Sequence, residues 1–190
     1  MADKLTVRYW DDPILSTVCD PVEDNEFGPK LEEFAASLLL TMDAFHGIGL
    51  AAPQVGVSKR MFAMHFPDWM EDRDYGIAPK APFVVCNPSL ILYGKTVQER
   101  EGCLSLPGIH EQVARAEKVT MQYRTPDGRS DEVALANINA RVVQHEFDHL
   151  NGIMFFNFRD IRPEYGRRMS KQVSKQVMRL WEKERIRRGL

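Results

Sequence analysis

Between residues 29 and 46, apolar side chains recur at spacings of three and four: Leu31, Phe34, Ala35, Leu38, Leu39, Met42 and Phe45. Residues so spaced share one helix face, which predicts an amphipathic helix, and Gly47 is placed to end it. After a glycine-bearing loop, KRMFAMHF reads as a strand, and FPDWMEDRDYGIAPKAP as a long acidic loop, an insertion over about residues 67–82. FVVCNPSLILYG is rich in branched residues but broken by Asn87-Pro88, so it predicts two short strands or one bent edge strand. KVTMQYR and SDEVALA flank Thr125-Pro126-Asp127-Gly128, a turn composition that predicts a hairpin. Helical spacing returns over residues 139–151 with Val142, Val143, Phe147 and Leu150, and Gly152 stands at the terminating position. A last helix is predicted over about 163–187, with Pro163 in its first turn and Tyr165, Met169, Val173, Val177, Leu180 and Trp181 on one stripe. Helices at both ends with strands between predict an α+β fold. Its mainly antiparallel sheet packs around the central helix over 139–151, with an N-terminal helix and a long C-terminal helix.

A chain of 190 residues fits one domain spanning 1–190, and no internal repeat or linker divides it. Apolar residues at 44% and charged residues at 27% argue for a packed core rather than disorder. A formal charge of −2 gives no global reason to expect DNA or an anionic membrane as partner. From Arg159 onward, however, 11 Lys and Arg stand against 4 Asp and Glu, which makes the C-terminal helix a basic module. MADKLTVRYW lacks the apolar run and cleavage site of a signal peptide, and FAASLLLTM is too short to span a bilayer. Cys19, Cys86 and Cys103 are widely spaced and odd in number, which argues against a disulfide framework and for a cytoplasmic location.

The helix over 139–151 carries QHEFDHLNG, residues 144–152. Residues four apart on a helix stand one above the other, so His145 and His149 can aim their imidazoles at one point. Two neutral imidazoles suit zinc or another transition divalent ion, which makes this a metal-binding helix. Glu146 projects close enough to handle a proton from water there. The pattern is His-Glu-x-x-His, and its plain alternative is a pair of surface histidines on a solvated face. Catalytic sites of this kind use three protein ligands. Neither protease completion convinces: one pattern has histidine where this chain has Phe155, and the other needs Glu164, just past the start of the C-terminal helix. EGCLS, residues 101–105, reads as a loop between two predicted strand regions and offers Cys103, whose thiolate binds such ions well. A lone cysteine is otherwise a small buried filler, the reading that holds for Cys19 and Cys86.

GIGLAAPQVG, residues 47–56, matches the dinucleotide fingerprint in letters only. That motif needs a strand before it and a helix after, whereas here a helix precedes, a strand follows, and Pro53 interrupts any helix begun there. Two glycines instead suit close approach to an extended ligand, with free backbone groups at Ile48 and Gly49 for strand-like pairing and an amide donor at Gln54.

GIGLAAPQ, EGCLS and QHEFDHLNG, in that order, resemble the three signature motifs of the peptide deformylase family, which removes the formyl group from nascent proteins. The resemblance takes in YWDDPILSTVCDPV and the strand ending at Arg115, so it covers about residues 5–160. It implies Cys103, His145 and His149 as ligands of Fe2+, with Zn2+, Ni2+ or Co2+ as substitutes. Residue chemistry alone favours zinc, and iron comes only from the resemblance. It also implies Glu146 as general base, the Leu104 backbone N–H and the Gln54 amide as donors to an oxyanion, and N-formylmethionyl nascent peptides as substrates. Ile138 and Val142 lie seven and three residues before His145 on the same face. They either line a pocket for the methionine side chain or belong to the core. The acidic insertion and His110, in LPGIHEQVAR, depart from shorter members and bear on peptide selectivity. The basic C-terminal helix is either a solvated face or a contact with ribosomal RNA, and the chain is expected to be monomeric. Two alternatives stay open: a zinc metallopeptidase of the HExxH type, and a non-catalytic metal-binding module docked on ribosomes.

Overall fold

The computed structural model describes residues 2–65 and 81–155. The predicted C-terminal helix lies outside the described residues, as does all but the last two residues of the acidic insertion. Within them stand two α-helices, α1 (Pro29–Ala44) and α2 (Asn137–Leu150), and one five-stranded sheet. Its strands are β1 (Gly49–Ala51), β2 (Met61–Met64), β3 (Phe83–Cys103), β4 (Leu106–Arg124) and β5 (Ser130–Ala136). They lie in chain order and every neighbouring pair is antiparallel, as the α+β reading expects.

The two helices sit on opposite faces of the sheet, and β2 explains why. All four residues of MFAM are fully buried. Met61 and Ala63 pack with Leu38 and Met42 of α1, while Phe62 and Met64 pack with Val143 and Leu150 of α2. Because strand side chains alternate between faces, a strand covered on both sides reads as an unbroken apolar run. Each large side chain removed from water here contributes about 1.5–3 kcal/mol.

Three local expectations change. Helix α1 does not turn on Gly47: the left-handed residue is His46, with φ 56°. The His46 N–H bonds to the Asp43 carbonyl and the Gly47 N–H to the Met42 carbonyl, each at 2.9 Å. This paired closure puts the left-handed residue one position earlier. A Cβ at Gly47 would lie 2.8 Å from the mobile end of Leu104 and 3.3 Å from the Gly49 carbonyl oxygen. Second, FVVCNPSLILYG begins one continuous strand of 21 residues, bent at Asn87-Pro88. Phe83–Cys86 pair with β2 and the strand from Ser89 onward pairs with β4, so that Cys86 alone is paired on both sides. The Asn87 side chain accepts from the Val22 N–H and donates to the Val22 carbonyl, each at 2.8 Å, which steadies the bulge. Third, EGCLS is no open loop: Cys103 ends β3, and Leu104 and Ser105 make the turn into β4. The predicted β4–β5 hairpin and the close of α2 hold, and Gly152 is left-handed at φ 68°.

Candidate metal centre

His145 and His149 ride on α2 and are both buried, while Cys103 comes from the end of β3. Their ligand atoms all lie within 4.8 Å of one another. Cys103 Sγ is 3.3 Å from His149 Nε2, and the two imidazoles meet edge to face with centroids 4.9 Å apart. His145 turns its Nδ1 to Glu101 Oε2 at 3.0 Å, which leaves Nε2 facing the cluster. One sulfur and two imidazole nitrogens form a donor set suited to a transition divalent ion. The field agrees with the geometry. Burial opposes charge on His145, yet Cys103 and Glu101 hold its pKa well above the ordinary value, and the same field favours a cation. Burial holds His149 well below its usual pKa, in the neutral form that binds metal.

Glu101 sits behind His145 at the centre of a buried ion network. Arg115 donates to both its oxygens, from Nε at 2.8 Å and Nη2 at 2.9 Å, and Arg141 Nη1 adds a bond of 2.7 Å. Burial would raise the pKa of Glu101, but Arg115 and His145 outweigh it and hold it at about 2. Arg115 Nη1 reaches on to Asp148 Oδ2 at 2.5 Å. Arg141 donates to the Val113 and Val97 carbonyls at 2.8 Å each, tying α2 to both arms of the β3–β4 hairpin. A carboxylate accepting from a ligand imidazole fixes its tautomer and ring orientation.

Glu146 is buried against β1. Among the described residues its Oε2 has no hydrogen-bond partner, and burial pushes its carboxyl up to about 7. A Cβ on Gly49 would lie 2.8 Å from Glu146 Cδ, so this glycine is required by space, not by its φ. Gln54 Oε1 accepts from the Ala51 N–H at 2.8 Å, which directs Nε2 to Ser105 Oγ at 3.1 Å and to Cys103 Sγ at 3.3 Å. Leu104 follows Cys103 in the turn, its side chain packed with the α1 cluster. Val142 lies within the core cluster under α2, and Ile48 and Ile138 pack at its margin. The backbone at Ile48 is not free as expected: its carbonyl accepts from the His65 N–H at 3.0 Å. Alternation along the strand turns the Gly49 groups to the outer edge of β1 instead. Phe155 stacks its ring 5.7 Å from that of His145, so the position where one protease pattern needs a ligand holds a packing residue.

Residues 4–162 match the sequence profile of the family described as polypeptide deformylase. The chain belongs to this family. A peptide deformylase of Thermus thermophilus is 40% identical over 155 residues, covering 79% of each chain. Among solved structures, the peptide deformylase of Ehrlichia chaffeensis superposes with a TM-score of 0.78 at 29% identity, covering 92% of this chain and 97% of that one. A class I type b peptide deformylase of Acinetobacter baumannii, solved with Met-Ala-Ser bound, gives a TM-score of 0.72 at 36% identity, covering 82% and 98%.

Against this deformylase background, the residues that sequence reading missed are the supporting ones: Arg115, Arg141, Gln144 and Asp148. A faint signal existed. Arg141 and Asp148 lie four before and three after His145, so the helix places all three on neighbouring positions. Glu101 lies two before Cys103 on the same strand. His110, flagged as a departure, is exposed and pairs with Gly102, where a Cβ would lie 2.8 Å from its ring.

Among the described residues, no helix is long and apolar enough to cross a membrane.

Proposed function

We propose that this deformylase hydrolyses the formyl amide of nascent polypeptides that begin with N-formylmethionine, releasing formate, at a centre held by Cys103, His145 and His149. The carrying observation is the convergence of those three ligand atoms within 4.8 Å, beside a buried carboxylate oxygen that has no partner among the described residues. Fe2+ is the proposed resident ion, by family resemblance, and Zn2+, Ni2+ or Co2+ suit the same donors. When bound, such an ion supplies Lewis acidity, polarising the formyl oxygen and acidifying water at the site.

The chain's own residues do the rest. Glu146 takes a proton from the attacking water as its oxygen bonds to the formyl carbon, and returns it to the amine nitrogen as the C–N bond breaks. The Gln54 amide and the Leu104 backbone N–H donate to the formyl oxygen as negative charge develops there. The outer edge of β1, at Gly49, pairs with the peptide backbone in the manner of an added strand. Ile48, Ile138 and Val142 wall the methionine side chain. The methionine-first peptide bound to the Acinetobacter baumannii relative supports that order of residues.

Formate release from a formyl-Met peptide, measured anaerobically alongside metal content, tests the reading. A folded, metal-loaded protein that releases no formate would sink it. Cys103→Ala removes one of three ligands, so it is expected to emerge from gel filtration without stoichiometric metal and without activity. Retention of both would show that the sulfur is dispensable. Val142→Phe is expected to raise KM for formyl-Met peptides roughly 10-fold or more with a smaller change in kcat. An unchanged KM would return Val142 to the core.

A further inference from the structure

We propose that Gln144, the residue before the first histidine ligand, is a positioning residue that governs how firmly the centre holds its ion. This rests on the three-ligand reading above. The centre joins two bodies, since Cys103 ends β3 whereas His145 and His149 belong to α2. Sulfur and imidazoles meet only when the helix lies at one height against the hairpin, and metal–ligand distances tolerate only about 0.2 Å.

The register of β4 explains what sets that height. β5 accompanies β4 as far as Ala136, opposite Lys118, and the chain then turns into α2. Beyond Lys118, β4 therefore has no strand on that edge among the described residues. Two residues on, at Ala116, the pleat brings backbone groups back to the same edge. Gln144 takes the place of the missing strand. Its Oε1 accepts the Ala116 N–H at 3.0 Å, and its Nε2 donates to the Ala116 carbonyl at 2.8 Å and to the Ala140 carbonyl at 3.0 Å. A primary amide carries a donor and an acceptor side by side, so it can read one residue's N–H and C=O together. Two-point pairing fixes the height of the helix as well as its distance. The Gln144 side chain is buried, and its own backbone carbonyl accepts from Arg115 Nη1 at 3.4 Å. His145 is the next residue, so a slip of Gln144 along β4 moves the imidazole relative to the sulfur.

Gln144→Met keeps the length of the side chain and removes both bonds to Ala116. With the full chain loaded with Co2+ and challenged with excess chelator, loss of the cobalt absorption band reports release. Gln144→Met is expected to release cobalt at least about 10-fold faster than the parent, the scale of outer-shell effects on metal affinity. Val133→Ala, a core truncation in β5, is expected to lower thermal stability and release cobalt at the parental rate. Parental release from Gln144→Met overturns the proposal, as does equal acceleration by Val133→Ala, which would mark general loosening. Should Gln144→Met fail to fold, hydrogen exchange on the unaltered protein decides. Coupling is reciprocal, so cobalt is expected to slow exchange of the Ala116 N–H by about 10-fold or more, and equal exchange with and without cobalt refutes the clamp. A parent chain that takes up no cobalt defeats the three-ligand reading itself, and the clamp with it.

Discussion

Glu146→Gln is expected to lower kcat by about 10²- to 10⁴-fold, the range for removing a positioned general base and acid, while metal content stays at the parental level. The amide is nearly isosteric with the carboxylate, and Glu146 is separate from the three converging ligand atoms, so the centre survives the change. What is lost is proton transfer. The carboxyl is suited to that task because burial has already pushed it up to about 7, near neutral pH, and its Oε2 is uncommitted to any other group among the described residues. Paired measurements of formate release and bound metal check this. A metal-replete Gln variant turning over within a factor of ten of the parent would remove Glu146 from the chemistry.

The second large effect is on stability. Arg115→Leu strips two hydrogen bonds from buried Glu101 and one from Asp148, leaving Glu101 with His145 and Arg141. Breaking a buried pair from one side costs about 3–5 kcal/mol, and the remaining partners place this change near the lower end. For a chain of this size that is a fall in Tm of about 6–12 °C. The pH dependence follows from the direction of the Glu101 shift. Its folded pKa of about 2 lies below the ordinary 4.5, so its stabilisation is complete above 4.5 and is lost as pH falls through 2. Without Arg115 the depression shrinks, and the acid limb of the Tm profile moves up toward pH 4.5. Superimposable Tm profiles for parent and variant would show that Arg115 does not hold the network.

Those two experiments probe different layers of the site, and the layers differed in how legible they were in the chain. His145 and His149 stand four apart on a helix whose apolar period was plain, so their shared face followed from local geometry alone. The hairpin was harder. From Gly94 to Gly102, β3 is mostly exposed and carries few apolar residues, so it left no alternating signal, and a strand of 21 residues read as one about half that length. Cys103 could be named as a ligand by chemistry, but its seat at a strand end depends on pairing across the β3–β4 register. Arg115 and Arg141 were hidden for a stronger reason: charged residues are seldom fully buried unless paired. Their partners lie 14 to 44 residues away, and no window of sequence holds both sides. Helix α1 was located correctly, while its closing residue moved to His46 because the turn is set by hydrogen bonds back to Met42 and Asp43, not by glycine content.

The fit of Gly49 under Glu146 has a consequence for anyone reshaping this cleft. A side chain added at position 49 would meet Glu146 Cγ at 2.9 Å as well as the carboxyl group, so this position offers no room for engineering. Even the smallest substituent there would displace the buried carboxyl group of Glu146. Altered selectivity for the first residue is better sought at the proposed pocket walls, Ile48, Ile138 and Val142.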